Sequence, residues 1–74
     1  MAQVVRSKQG FANCLKGCRI SSGYTQEELS KICGIATSTL AHYEAADRYP
    51  DFENFCKLVY ALDCSPVYLM VENA

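Results

Sequence analysis

Five side chains on one short predicted helix could contact another molecule closely. At about 100° per residue, a helix over residues 37–45 turns these side chains to one side: Thr37 at the leading edge, then Ser38, Ala41, His42 and Ala45. The set is small and polar, whereas an ordinary solvated helix face more often carries Lys and Glu. Small side chains permit a close approach, and hydroxyl and imidazole groups form hydrogen bonds. The pattern therefore predicts a contact surface.

Catalytic chemistry is not indicated by the sequence. His42 is the only histidine, and no carboxylate cluster, Cys–His pair or phosphate-binding loop stands in a usable context. We therefore expect that the chain is not an enzyme. The aromatic residues lie at apolar-stripe positions, so we expect them in the core rather than in a stacking platform for single strands.

Five cysteines occur in the chain, an odd number, and none of them forms a Cys-x-x-Cys pair: Cys14, Cys18, Cys33, Cys56 and Cys64. All five lie within or beside apolar patterns, where free thiols behave as small buried hydrophobes. Cys14 and Cys18 are four residues apart and could share a helix face. A zinc site needs about four ligands, and one histidine does not complete such a set. We expect no metal and no cofactor.

A capped helix and a glycine turn precede the predicted contact surface. Thr25 and Glu28 stand three residues apart, as in a capping box, and predict the start of a second helix over residues 25–33. Gly34 ends this helix, because glycine takes a positive φ without steric cost. Two short helices joined by a tight turn form a helix-turn-helix, which usually places its second helix in a DNA groove.

Three further helices follow from apolar spacing and capping signals. A first helix is predicted over residues 9–21 and a fourth over residues 51–62. Ser65 and Pro66, an N-cap followed by proline, start a short fifth helix. We see no strand pattern, so the expected fold is all-α, with a compact bundle of five helices. The positions predicted to face inward in helices 2 and 4 are Leu29, Ile32, Cys33, Phe52, Phe55, Leu58, Val59 and Leu62.

The bulk properties predict one cytoplasmic domain. The chain has 74 residues, half of them apolar, and no apolar run near the ~18 residues that span a bilayer. Its amino terminus lacks the long apolar stretch of a signal peptide. We expect a loose arm over residues 1–8 that carries Arg6 and Lys8, a domain over residues 9–71, and a tail over residues 72–74. Seven Lys and Arg against eight Asp and Glu give a net charge of −1.

A series of short motifs runs from Phe11 to Met70. In order, they are Leu15-x-x-x-Arg19, Gly23-x-Thr25-Gln26-Glu27-Glu28-Leu29, Gly34-Ile35-Ala36-x-x-Thr39-Leu40-Ala41-x-x-Glu44, Arg48-x-Pro50, Ala61-Leu62-Asp63-Cys64-Ser65 and Leu69. In this order and spacing the chain resembles the phage-repressor and Cro-like helix-turn-helix family, also called Xre-like. The resemblance implies a lambda-repressor-like DNA-binding domain built as a five-helix bundle.

The resemblance also implies roles for single residues. Gln26 matches a position that approaches a phosphate or a base edge, and Arg48 matches one that touches phosphate. Four positions of the recognition helix, about residues 37–45, typically face base edges: Thr37, Ser38, Ala41 and His42. Arg19 and Glu44 match a charged pair that ties helix 1 to helix 3, and we interpret this pair as structural.

Some positions depart from the family pattern. Ala36 stands where serine usually caps helix 3, so Thr37 could cap instead. Asp47 and Asp51 stand where basic residues would help to hold phosphate. The outward face of helix 3 has no Arg, Asn or Gln, the residues that make the most discriminating bidentate base contacts. We therefore expect that direct base contacts discriminate weakly between sequences, and that DNA shape and dimer spacing add to the specificity.

The expected function is sequence-specific binding of double-stranded DNA by a transcriptional repressor of phage, prophage or bacterial origin. It would act as a homodimer on a two-fold operator, with half-site centres ~34 Å apart or a multiple of that. The fifth helix and residues 71–74 are candidates for the dimer contact. The alternative is a protein-interaction module on the same scaffold, of antitoxin or anti-repressor type, with weak or no DNA binding. Its basis is the acidic net charge together with Asp47 and Asp51.

Overall fold

Five helices and two short strands make up the computed structural model, which describes residues 3–73. The elements are β1 (Gln3–Val5), α1 (Lys8–Ser21), α2 (Gln26–Cys33), α3 (Thr37–Glu44), α4 (Phe52–Leu62), α5 (Pro66–Met70) and β2 (Val71–Asn73). The five-helix bundle expected from the sequence is confirmed. Residues 1–2 of the predicted arm and residue 74 of the predicted tail lie outside the described residues.

The two strands correct the expectation of a loose arm and of a chain without strands. β1 pairs with β2 antiparallel, with Gln3 opposite Asn73 and Val5 opposite Val71. The Arg6 backbone N–H extends the connection by donating to the Met70 carbonyl at 2.7 Å. Three-residue strands are too short to show an alternating pattern, and each finds its partner at the other end of the chain. Sequence periodicity therefore did not predict them.

The start and end of α2 follow from local chemistry. Thr25 Oγ1 accepts from the Glu28 backbone N–H at 3.1 Å, and Glu28 Oε1 accepts from the Thr25 backbone N–H at 2.8 Å, so the predicted capping box is present. The hydrogen bond from Thr25 lowers the pKa of Glu28. Gly34 ends the helix with φ of +77°, as the turn requires. The Ser30 hydroxyl donates to the Ile35 carbonyl at 2.6 Å and fixes the turn between α2 and α3.

The core contains one fully buried leucine from each helix. These are Leu15, Leu29, Leu40, Leu58 and Leu69. Because every helix contributes a side chain to the same cluster, none of the five can shift without opening a cavity there.

Two side chains predicted to face inward are exposed. Ile32 is 52% exposed and Phe52 is 81% exposed. Leu29 and Cys33 define the buried stripe of α2, and Ile32 lies at its edge. Phe52 is the first residue of α4, ahead of the stripe of that helix, which packs from Phe55 onward. Helical spacing predicts the direction in which a side chain points, but it does not show whether another part of the fold covers that side chain.

Candidate nucleic-acid interface

The exposed side of α3 is the predicted contact surface. Ser38, Ala41, His42 and Ala45 are exposed and Thr37 is half-buried, and we call these five residues the α3 outer face. On the opposite side of α3, Leu40 and Tyr43 enter the core. Tyr43 remains partnered there, because its hydroxyl accepts from Asn54 Nδ2 at 3.0 Å.

The amino end of α3 has no side-chain cap. Ala36 is the N-cap residue, and Thr37 is the first residue of the helix and does not cap it. The alternative in which Thr37 withdraws to act as a cap is therefore wrong. The first-turn N–H groups of a helix have no partners within the helix and favour an anion. Thr37 keeps its place at the leading edge of the α3 outer face.

A charged pair fixes the other end of α3. Arg19 Nε donates to Glu44 Oε2 at 2.7 Å and Arg19 Nη2 donates to Glu44 Oε1 at 2.9 Å. The two side chains are only 11% and 5% exposed, and such bidentate pairs are the strong ones. The hydrogen bonds to Glu44 raise the pKa of Arg19, against the opposing effect of burial. Arg19 Nη1 also donates to the Tyr24 carbonyl at 2.7 Å, just before α2. The implied structural pair is thus present and joins α1 to α3 and to the start of α2.

Gln26 is drawn into the same group. Its Nε2 donates to Glu44 Oε1 at 3.2 Å. The Gln26 side chain is half-buried at the amino end of α2. It contacts Glu44, the last residue of α3, and not the first turn of α3. The amide retains a second N–H and a carbonyl oxygen for an external partner. The structure therefore brings Gln26 together with Arg19 and Glu44, a contact that sequence reasoning missed.

His42 has a carboxylate partner that helical spacing did not predict. Its Nδ1 lies 2.9 Å from Asp47 Oδ2, and both side chains are about half exposed. Asp47 lies beyond the end of α3, where the chain reverses: its backbone N–H donates to the His42 carbonyl at 3.0 Å. The reversal depends on Ala46, whose φ is +64°. Glycine, which adopts a positive φ readily, is common at this position in the family that the chain resembles, and this is the signal by which the reversal could have been found.

The loop after α3 carries Arg48, which is exposed. Among residues 3–73, no ion pair involves its guanidinium. The loop is held on both sides, since the Tyr49 hydroxyl donates to the Arg6 carbonyl at 2.6 Å and Asp51 Oδ1 accepts from the Asn54 backbone N–H at 2.8 Å. Asp47 and Asp51 stand where basic residues would help to hold phosphate. Both carboxylates have local partners, Asp47 at His42 and Asp51 at the start of α4.

Arg6, predicted to lie on a loose arm, is held against α5. Its Nε donates to the Tyr68 carbonyl at 3.0 Å, and its guanidinium lies 5.6 Å from the centre of the Tyr68 ring. This cation therefore contributes to the closure of the fold at β1 and α5.

Three of the five thiols lie close together: Cys14 and Cys18 on α1, and Cys64 in the turn before α5. All three pack against the core, and the Cys14 thiol donates to the Tyr68 carbonyl at 3.7 Å. Burial is the main cause that raises the pKa of each of these thiols. All five cysteines are free.

In the described part of the chain, no group of three or more His, Cys, Asp or Glu residues is arranged to hold a metal ion. No helix there has the length and apolar character to cross a membrane.

The arrangement of α2, turn and α3, with an exposed α3 outer face, defines the helix-turn-helix fold of DNA-binding transcription regulators. The chain belongs to the HTH_3 helix-turn-helix family, whose model matches residues 15–69. The resemblance to Xre-like and Cro-like proteins inferred from the motifs is confirmed.

Known proteins similar to this chain include regulators and an antitoxin. Antitoxin HipB of Escherichia coli O6:H1 (strain CFT073) is 31% identical over 72 residues, which cover 97% of this chain and 77% of that protein. The SPbeta prophage-derived HTH-type transcriptional regulator YonR of Bacillus subtilis is 33% identical over 60 residues, or 81% of this chain and 56% of that protein. The crystal structure of the restriction-modification controller protein C.AhdI from Aeromonas hydrophila is similar with a TM-score of 0.76. It is 32% identical, and the match covers 85% of this chain and 92% of that chain.

Replacing Ala46 by glycine is expected to stabilise the fold. The left-handed φ of +64° costs an L-residue with a Cβ atom about 1–2 kcal/mol. Part of this gain is offset by the greater chain entropy of glycine when unfolded, so Ala46→Gly should raise the free energy of unfolding by roughly 0.5–1 kcal/mol. Ala45→Gly is the matched control, because Ala45 has a φ of −87° and should gain nothing. Denaturant titrations followed by circular dichroism measure both, and equal effects would contradict the explanation.

Breaking the Arg19–Glu44 pair from one side is expected to be costly. Arg19→Met leaves the Glu44 carboxylate buried without its partner and should lower the free energy of unfolding by about 3 kcal/mol. The double variant Arg19→Met with Glu44→Leu removes both charges and should recover at least half of that loss. Thermal and denaturant unfolding of the two variants provide the measurement. A double variant that is no more stable than Arg19→Met would show that the two side chains do not act as a pair.

Proposed function

We propose that this chain is a sequence-specific transcriptional repressor that binds double-stranded DNA as a homodimer, with α3 in the major groove. The observation that carries the proposal is the rigid mounting of a small, exposed helix face. The α3 outer face carries no long side chain, while Arg19 and Gln26 hold Glu44 at the carboxyl end of the helix. A helix fixed in this way can enter a groove without first losing conformational freedom.

The α3 outer face would read base edges with few bonds. Ser38 offers one hydroxyl, and Ala41 offers a methyl group that can pack on a thymine methyl. Asp47 engages Nδ1 of His42, which leaves Nε2 as the ring nitrogen available to a base. Each of these contacts discriminates less than a bidentate Arg or Asn would. The proposal therefore includes a contribution to specificity from DNA shape and from the ~34 Å spacing of half-sites.

Phosphate contacts would hold the helix in register. Arg48 lies in the loop that directly follows α3, and Gln26 lies at the amino end of α2, where backbone N–H groups favour an anion. The net charge of −1 means that cations placed at the interface, rather than the total charge, must supply the attraction to DNA. The local partners of Asp47 and Asp51 reduce the repulsion expected from these carboxylates.

The similar proteins support the regulator class and also supply the alternative. The names of YonR and C.AhdI describe a transcriptional regulator and a controller protein. HipB is named as an antitoxin, which favours the second candidate function, a protein-interaction module that binds a protein partner on the same scaffold. A pull-down from the source organism, with and without nuclease treatment, separates the two. A partner retained after nuclease supports the interaction module.

Removal of the exposed loop cation is expected to weaken DNA binding uniformly. Arg48→Ala should reduce affinity for all duplexes alike and lower the slope of log affinity against log salt by about 1, because one phosphate contact is lost. Lys57→Ala on α4 is the control and should leave the slope unchanged. Fluorescence anisotropy across a salt series measures both. Binding by the parent chain that does not respond to salt would overturn the assignment of Arg48.

Changes on the α3 outer face are expected to alter sequence preference. Selection of bound duplexes from a random pool should return a two-fold motif for the parent chain. Ser38→Ala and His42→Ala should each relax one or two positions of each half-site, at about 1–3 kcal/mol of lost discrimination per contact at most. Lys57→Ala should return the parental motif. An unchanged motif in both α3 variants would show that bases are read elsewhere, and no enrichment of any duplex would contradict DNA binding.

A further inference from the structure

An apolar cavity opens on the side of the molecule where β1, the loop after α3, α4 and α5 meet. Its volume is about 450 Å³, and its apolar lining includes Val5, Phe11, Tyr49, Phe55, Leu69 and Met70. The walls are held in place by specific contacts: Tyr49 donates to the Arg6 carbonyl, and the Phe11 and Tyr49 rings lie 6.3 Å apart. Cavities of this size accept ligands or side chains larger than a phenyl ring.

Phe52 stands at the rim of this cavity and is 81% exposed. It is the first residue of α4, and the Asp51 cap fixes the direction in which the helix starts. Phe52 is grouped there with other exposed apolar side chains, those of Val5, Tyr49 and Met70, and an exposed apolar patch of this kind is typical of a surface that becomes covered. The same chain thus carries a protruding ring and, next to it, a recess that can hold one.

We propose that the cavity of each copy receives Phe52 of a second copy, around a two-fold axis that passes between the two rims. An isologous interface requires one self-complementary patch, and a ring beside a matching recess meets that requirement. This inference rests on the proposed function, since it names the surface through which the homodimer forms. A small ligand in the cavity would leave Phe52 exposed, whereas a second copy covers both features at once.

The exposed apolar area around the cavity suits a dimer of ordinary size. Phe52 and Tyr49 are 81% and 46% exposed, and Val5 and Met70 are 67% and 47% exposed. Together these side chains present roughly 350 Å² of apolar surface, taking about 200 Å² for an aromatic and about 100 Å² for an aliphatic side chain. A standard interface buries about 800 Å² per partner, a little over half of it apolar. These four residues therefore supply most of the apolar area that a standard dimer needs.

The charges at the rim are balanced. Arg6 and Asp51 both line the cavity, so each copy brings one cation and one anion to the interface. Two identical surfaces can then meet without a net repulsion of like charge.

Sedimentation equilibrium of the whole chain, compared with Phe52→Glu, tests the proposal. Replacing the ring that enters the recess by a carboxylate should weaken self-association at least roughly 30-fold, as for an interface hot spot. Tyr60→Glu is the matched control, because Tyr60 is on the same helix, is 90% exposed and does not line this cavity. It should leave self-association within about threefold, a shift well below that of a hot spot. Val5→Trp, which narrows the recess, should also weaken self-association. Circular dichroism of each variant checks that the fold is retained.

Binding to two duplexes separates failure of this inference from failure of the proposed function. Phe52→Glu should bind a single half-site as the parent chain does and lose the tighter binding to a full two-fold operator. If no variant binds any duplex while Phe52→Glu still abolishes self-association, the dimer surface stands and the proposed function fails. A parent chain that remains monomeric at millimolar concentration would overturn the inference. It would also be overturned if Tyr60→Glu disrupted the dimer and Phe52→Glu did not, or if an apolar fluorescent probe filled the cavity without competing with self-association.

Discussion

The carboxylate of Glu44 is the junction on which the arrangement of the first three helices depends. Its two oxygens accept hydrogen bonds from Arg19 Nε and Nη2 and from Gln26 Nε2, so α1, α2 and α3 meet at a single side chain. A carboxylate whose side chain is only 5% exposed is costly to bury unless donors such as these satisfy its oxygens. The hydrogen bonds to Glu44 therefore fix the orientation of α3 relative to α1 and α2, and with it the direction of the α3 outer face.

The turn after α3 shapes the candidate interface from the other side. The left-handed conformation of Ala46 brings Asp47 back to His42, and the same reversal places Arg48 directly after the helix. One backbone feature thus orients an imidazole on the α3 outer face and positions a cation beside it. The strain at Ala46 is the cost of this arrangement, and it is balanced by the hydrogen bonds that the turn gains.

The far side of the bundle has a different character. β1 and β2 close the two ends of the described chain against each other, and Arg6 and Tyr49 connect that closure to the loop after α3. These contacts shape the apolar cavity beside Phe52. The proposed DNA-binding surface is small and polar, and the proposed dimer surface is apolar. Each composition suits its partner, a nucleic acid in one case and a second copy in the other.

The sequence by itself determined the features that depend on near neighbours: five helices, the capping box of Thr25 and Glu28, the glycine turn at Gly34, and the side of α3 that faces outward. Helical periodicity and capping act within a few residues, so a single sequence is enough to reveal them. The Arg19–Glu44 pair was accessible only through resemblance to a family. Tertiary structure alone decided the pairing of β1 with β2, the exposure of Ile32 and Phe52, the engagement of Gln26 by Glu44, and the His42–Asp47 contact. These features depend on residues that folding brings together from distant positions or across a chain reversal, and no local pattern encodes them.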